Sequence, residues 1–356
     1  MHKKIDFYII KKILGTYVFA ILLIISIAVV FDINEKIDDF MEAPMKSIIF
    51  DYYLNFIPYY ANLFSQIFTF IAVIFFTSKL AENSEIIAIL SSGISFKRLM
   101  VPYMISAAII SSLTFTLNSF VIPPANKTRI EFQNKYVSNK KVDYAANVQL
   151  QVSPGVIAYI NRYDDNLKTG YRFSMEKFEG KSLKSKLTAE SIRYDSAYNW
   201  IAKNYTIRNF EGMKETFTKG TRLDTVIAMA PSDFLISRYD AELMTTPELK
   251  KYIKKQQERG ASNVKPFQIE YETRIASTFA AFILTSIGMF LSSRKVKGGM
   301  GVNIGIGLVL SFAYIMFSTI SSTFAINGDM SPRFAVWIPN ILYLFIAIYL
   351  YRKTPK

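Results

Sequence analysis

Residues 13–31 read ILGTYVFAILLIISIAVVF, without one charged side chain. A helix needs about 20 mostly apolar residues to cross the ~30 Å hydrocarbon core of a bilayer, and this run meets that need. Five more stretches without Asp, Glu, Lys or Arg follow, at 52–78, 99–126, 275–293, 298–328 and 334–351. Six spans are therefore expected, three on each side of a charged middle. Pro58 and Pro102 fall inside this pattern and are tolerable in lipid. Lys3, Lys4, Lys11 and Lys12, with Ser26-Ile27-Ala28, imitate a cleavable signal. The apolar run, however, is longer than the roughly 7–15 residues of such a signal, so the first span is expected to stay.

Composition alone decides less. The 356 residues are 51% hydrophobic and carry a formal charge of +14. In a membrane chain that excess points to basic loops and anionic lipid rather than nucleic acid. Cysteine is absent and the only histidine is His2, which excludes disulfides, thiolate metal sites and a Cys nucleophile. No cofactor and no metal site is expected.

Short loops set the orientation. Lys3, Lys4, Lys11, Lys12, Lys79, Lys97, Arg98, Arg294, Lys295, Lys297, Arg352, Lys353 and Lys356 fall on one side; Lys36, Lys46 and Arg333 fall on the other. Both termini are expected in the cytoplasm, and the insert between spans three and four outside the inner membrane. The expected domains are 1–126 with spans one to three, 127–265 as the insert, and 266–356 with spans four to six.

The insert reads as β. Val156–Tyr163 alternates and ends at the turn cluster Asp164-Asp165-Asn166; Arg172–Phe178, Ser185–Tyr194 and Trp200–Phe210 are further strands. In the last, Trp200, Ala202, Asn204, Thr206, Arg208 and Phe210 are expected on one face, with Ile201, Tyr205 and Ile207 mainly on the other. Regularly spaced short strands suggest a sandwich or open barrel. The insert ends in an amphipathic helix at about 246–259, capped by Thr246, with Pro247 in its first turn and Gly260 at its end. Leu249, Tyr252, Ile253 and Gln256 form one face among Lys250, Lys251, Lys254 and Lys255. It suits headgroups or an ordinary basic surface equally.

Motifs for autonomous chemistry are missing. The sequence holds no GxxxxGK[ST] loop, no H-E-x-x-H and no G-x-S-x-G, so no catalytic residue is assigned. Gly298, Gly299, Gly301, Gly305 and Gly307 are read as glycines that let helices pack closely or shape the start of span five. Charge-free spans also lack the intramembrane acids and bases of an ion-driven carrier. Energy for any transport must come from a partner.

The loop after span two supplies a docking element. Residues 78–95 read SKLAENSEIIAILSSGIS. Ser84 suits an N-cap, Glu85 suits the positive end of the helix dipole, and Gly93 stops the helix. Ile86, Ile87, Ile89 and Leu90 make an apolar face, placing a short helix at about 80–93.

Here the chain resembles the LptF/LptG (YjgP/YjgQ) permease family. The resemblance rests on Leu80–Ile87 with Ser92-Gly93-Ile94-Ser95, and on Asp6-Phe7-Tyr8 with Lys11. Val121–Asn126, Thr246-Pro247-Glu248-Leu249 with Tyr252-Ile253, and Pro339 extend it, in the same order, over nearly the whole chain. It implies an α-helical membrane protein of six spans with an inserted periplasmic jellyroll-like domain. It further implies a permease subunit of an ABC transporter that extracts lipopolysaccharide from the inner membrane of a Gram-negative bacterium. The implied partners are a dimer of the ATPase LptB, a second LptF/LptG permease and the bridge protein LptC. Glu85 matches the coupling-helix acid, with Ile86, Ile89 and Leu90 as apolar contacts. Lys36, Lys46, Lys127, Arg129 and Arg274 are the candidates for lipid phosphates, since Lys and Arg bind phosphate by charge-assisted bonds. The match departs from the family after span one, where Asp32, Glu35, Lys36, Asp38 and Asp39 replace a lysine-rich end. Region 127–274 holds 26 basic and 18 acidic residues, a net of +8, which suits an anionic amphiphile. Short loops lean toward LptG. Two alternatives remain: another ABC permease, as in lipoprotein release, or a membrane-anchored β domain for binding or assembly.

Overall fold

A computed structural model describes residues 2–137, 144–212, 214–233, 238–258, 264–295, 299–328 and 330–354. The expectations for Gly260, Lys297, Gly298 and Lys356 fall outside these residues. The chain divides into two compact units: Met1–Val137 with Glu242–Thr246 and Gln268–Lys356, and Ser138–Ala241 with Pro247–Phe267.

The helical unit contains α1 (His2–Glu35), α2 (Ile37–Met41), α3 (Met45–Ser47), α4 (Leu54–Glu82), α5 (Glu85–Ser91), α6 (Phe96–Thr116) and α7 (Ile122–Phe132). Helix α8 (Thr246–Glu258) precedes α9 (Lys265–Ser292), α10 (Gly299–Asn327) and α11 (Pro332–Lys353). Six segments are long and apolar enough to cross a membrane: Lys4–Glu35, Met45–Glu82, Phe96–Val137, Lys265–Ser292, Gly299–Asn327 and Pro332–Lys353. Helix continues past the third apolar run, because a π-helical turn at Leu117–Val121 joins α6 to α7 without breaking the axis.

Buried polar side chains link the spans. Tyr17 meets Ser65 at 2.8 Å, Thr77 donates to Tyr103 at 3.1 Å, Asn303 donates to Ser78 at 3.0 Å, and Tyr314 donates to Asn340 at 2.7 Å. Lipid offers no competing water, so each bond contributes about 0.6 kcal/mol on average to helix association. Glycine helps at one point: a Cβ on Gly307 of α10 would stand 2.2 Å from Ile74 Cδ1 of α4, whereas Gly301 and Gly305 face open space. Among the described glycines of that run, only Gly307 therefore serves close packing.

The second unit is built on one antiparallel sheet in sequential order: β1 (Tyr144–Ser153), β2 (Val156–Asp164), β3 (Thr169–Glu179), β4 (Ser182–Tyr194), β5 (Asn199–Glu211) and β6 (Lys214–Val226). Its core gathers Leu150, Ile160, Tyr163, Phe173, Leu187 and Trp200. Trp200 is fully buried, donates its indole N–H to Met229 O at 3.0 Å, and meets Tyr194 edge to face at 5.0 Å.

A polar row crosses the entire sheet. Asn147, Arg172 and Asn204 take left-handed φ values of 53°, 52° and 50°. The ladder skips them together with Asn161, Glu190 and Thr221 opposite. The inward set therefore slips by one residue at this row: Tyr163 then Ile160, Ile192 then Ala189, Ala202 then Tyr205. This corrects the expected faces of β5. Trp200 and Ala202 point inward as their alternation requires, but Tyr205 and Ile207 join them beyond Asn204, since a one-residue slip exchanges the faces. Asn suits the pivot because its short polar side chain tolerates left-handed backbone.

Helix α8 turns its apolar face inward. Leu249, Ile253 and Gln256 are buried, and Gln256 donates to Asp233 O at 3.3 Å. Lys255 pairs with Asp233 at 3.2 Å, and the Tyr252 ring meets Phe267 at a tilt, centroids 4.8 Å apart. The apolar face is thus covered within the β unit, and Lys250, Lys251 and Lys254 stay exposed on the other side.

Candidate functional site

Helix α4 ends at Glu82, and the chain reverses through Asn83 and Ser84 before α5 begins. Residues 80–82 thus belong to the long span, not to the short helix. Ser84 does not cap by its side chain: it sits at φ 62°, and Asn83 Nδ2 instead donates to Glu85 Oε1 at 3.1 Å. Gly93 at φ 87° ends the element, a conformation that favours glycine.

The apolar residues of α5 divide between two sides. Ile86 is 2% exposed and belongs to the core of the helical unit, and Ile89 and Leu90 pack against that core. Ile87, by contrast, is 62% exposed. Positions 86, 89 and 90 follow helical spacing and seat α5 on its own bundle. Ile86 is thereby committed to the bundle, whereas half-buried Ile89 and Leu90 keep part of their surface exposed. Ile87, with Ala88 and half-buried Glu85, forms the outward side. Nearby, Arg98 at the start of α6 donates to Asp6 of α1 in a bidentate pair, at 2.9 and 2.5 Å. The start of α6 is thus tied to the first span.

At the opposite end of the spans the candidate cations separate into free and engaged groups. Lys46 and Lys127 are exposed. Lys36 is held by Asp32 and by Tyr52 OH at 2.7 Å, while Tyr53 OH donates to Asp32 at 3.1 Å. Burial alone would lower the Lys36 ammonium, but the hydrogen bonds to Asp32 and Tyr52 outweigh it and raise its pKa. Arg129 lies over the Tyr59 ring at 4.5 Å, nearly buried. Arg274 is 1% exposed and donates to Glu270 Oε1 at 2.8 Å, Met244 O at 2.9 Å and Thr246 Oγ1 at 3.1 Å. It fastens the returning segment to α9 rather than facing the rim. A small polar chamber of about 160 Å³ adjoins it, lined by Tyr59, Asn62, Asn126, Glu242 and Glu270 among others. Both amide atoms of Asn126 lack partners among the described residues.

Six apolar spans and an inserted β domain fall within one family match. The family model described as lipopolysaccharide export system permease LptF/LptG matches residues 7–353. The chain belongs to the LptF/LptG family. No curated protein matches it individually. The LptF/LptG match runs through both units, spans and insert alike, and its description covers both subunit types together. Membership makes the chain a multi-pass inner-membrane permease for lipopolysaccharide export.

Two features escaped the sequence. Ile87 was grouped with its neighbours, although it lies about 100° around the helix from Ile86. The Asp32–Lys36 pair was legible as an i, i+4 spacing, but its tyrosine partners come from 20 residues away.

Proposed function

We propose that the chain is one permease subunit of an ABC transporter that lifts lipopolysaccharide from the inner membrane and passes it to a periplasmic bridge. The single observation that carries this is the exposed Ile87 beside Glu85 on a helix otherwise locked into the bundle. Such a helix transmits a push: an ATPase dimer grips the outward side, and Ile86 carries the motion into α4 and α6. The thirteen-to-three excess of basic residues in the short loops supports placing α5 and both termini in the cytoplasm, with the β domain in the periplasm.

A second permease has room to dock. The most apolar windows of the first and fifth spans are each 22% buried, the lowest of the six. Their outward side chains, Phe19 and Phe31 on α1 and Phe312 and Phe324 on α10, suit a partner permease together with lipid. Lys46 and Lys127 are the free cations for lipid phosphates, with Arg129 behind them. Arg274 and Lys36 are spoken for by internal partners. The net +8 of region 127–274 suits onward transfer of an anionic amphiphile to an LptC-type protein.

Purification of the tagged chain from its native membrane in mild detergent, followed by mass spectrometry, tests this. The wild type is expected with a soluble ABC ATPase and a second six-span permease. Glu85→Ala and Ile87→Ala are expected to lose the ATPase and keep the permease. A chain that comes out alone, or whose partners ignore both substitutions, would move the anchored-binding alternative to the front.

A further inference from the structure

A second feature of the helical unit points to lipid of a different kind and place. A groove of about 690 Å³ opens between α6, α9 and α11. Along α6 its lining positions run from Lys97 through Met104 to Ala108; Phe290 of α9 and Ile348 and Tyr351 of α11 close the other sides. All of this belongs to one end of the bundle: the start of α6 and the ends of α9 and α11. Its wall is almost wholly apolar, and no acidic residue lines it.

Three observations select an occupant. Eleven residues of α6 separate Lys97 from Ala108, about 17 Å of helix at 1.5 Å per residue. That is close to half of the ~30 Å hydrocarbon core, so the groove is one leaflet deep. An apolar recess facing a bilayer is filled by acyl chain, since water gains no partners there. At the mouth, Lys97 is exposed and has no hydrogen bond or ion pair among the described residues, while exposed Arg352 and Lys353 follow Tyr351 at the same end. An acidic headgroup meets that charge, and the acyl chain behind it fills the apolar wall.

We infer that this groove binds an anionic glycerophospholipid from the leaflet on the Lys97 side, its acyl chain lying between α6 and α11 and its phosphate at Lys97. Because only four residues separate α5 from α6, the lipid fills the joint that any movement of α5 must strain.

The full chain would be reconstituted in phosphatidylcholine vesicles carrying a trace of phosphatidylglycerol with a photoactivatable acyl chain. The same probe on phosphatidylcholine serves as the comparison. Labelling is expected on peptides from 100–108 and 344–351, with phosphatidylglycerol favoured. Lys97→Gln should cut that preference about five-fold, the effect of one cation at a membrane surface, and Lys97→Arg should restore it. Ile348→Trp, at an exposed position lining the groove, should cut labelling by both probes, with an unchanged thermal melt of that variant showing that its fold is kept. Label spread evenly over the outer faces of α1 and α10 would overturn the inference. So would equal labelling by both headgroups whatever stands at 97. Protection of the groove by a crosslinked protein in the natively purified complex would assign it to a partner helix instead.

Discussion

Removing the Arg274 side chain separates two roles for a cation near the outer end of α9. In Arg274→Ala, Glu270 loses its partner, and Met244 O and Thr246 Oγ1 lose donors at 2.9 and 3.1 Å. Breaking a buried ion pair by deleting one member costs roughly 3–5 kcal/mol. Glu270 keeps 24% exposure, so water recovers part of that, and about 2–3 kcal/mol is expected. Thermal unfolding in mild detergent reads the total, and hydrogen exchange at 242–246 reads the release of the returning segment. Glu270→Ala completes a double-mutant cycle. The two single losses should exceed the double loss by about 1–2 kcal/mol, since the residues share one network. Additive losses would refute the clamp. An unchanged stability with weakened lipopolysaccharide binding would make Arg274 a headgroup ligand after all.

Ile86→Ala should loosen α5 and destabilise the chain by about 2–4 kcal/mol, as large-to-small core changes do, whereas the neighbouring Ile87→Ala should leave unfolding within about 0.5 kcal/mol; parallel melts decide. Trp200→Phe keeps most of the buried area but strands Met229 O, and circular dichroism melts should show a loss of about 1–2 kcal/mol in the β domain. Gly307→Val should weaken the packing of α10 on α4 and lower the melting temperature, because its Cβ would overlap Ile74. The Arg208 guanidinium holds the exposed Glu215 carboxyl below its ordinary 4.5. The depressed value means that the pair's stabilisation is present above that pH and is lost as pH falls through the folded pKa. Glu215→Gln should flatten the acid limb of the melt profile.

Much of the helical half was legible because charge-free runs leave few choices in lipid, and all six apolar runs coincide with spans. The strands were legible for the same kind of reason, alternation between turn clusters. Period two does not reveal where alternation slips, and the slip at Asn204 depends on neighbours in five other strands. Likewise α5 was visible as a helix, but which isoleucine faces the bundle is fixed by α4 and α6. The cations after span one read as a rim. Only the fold brings Tyr52 and Tyr53 onto Asp32 and Lys36, or Met244 and Thr246 onto Arg274.

ATP-driven release of lipopolysaccharide from vesicles containing the chain, a second LptF/LptG permease and their ATPase measures the proposal most directly. Release should require ATP, and Ile87→Asp should abolish it by uncoupling the ATPase while the two permeases remain paired. Release that proceeds without ATP, or that is indifferent to the outward side of α5, would contradict it.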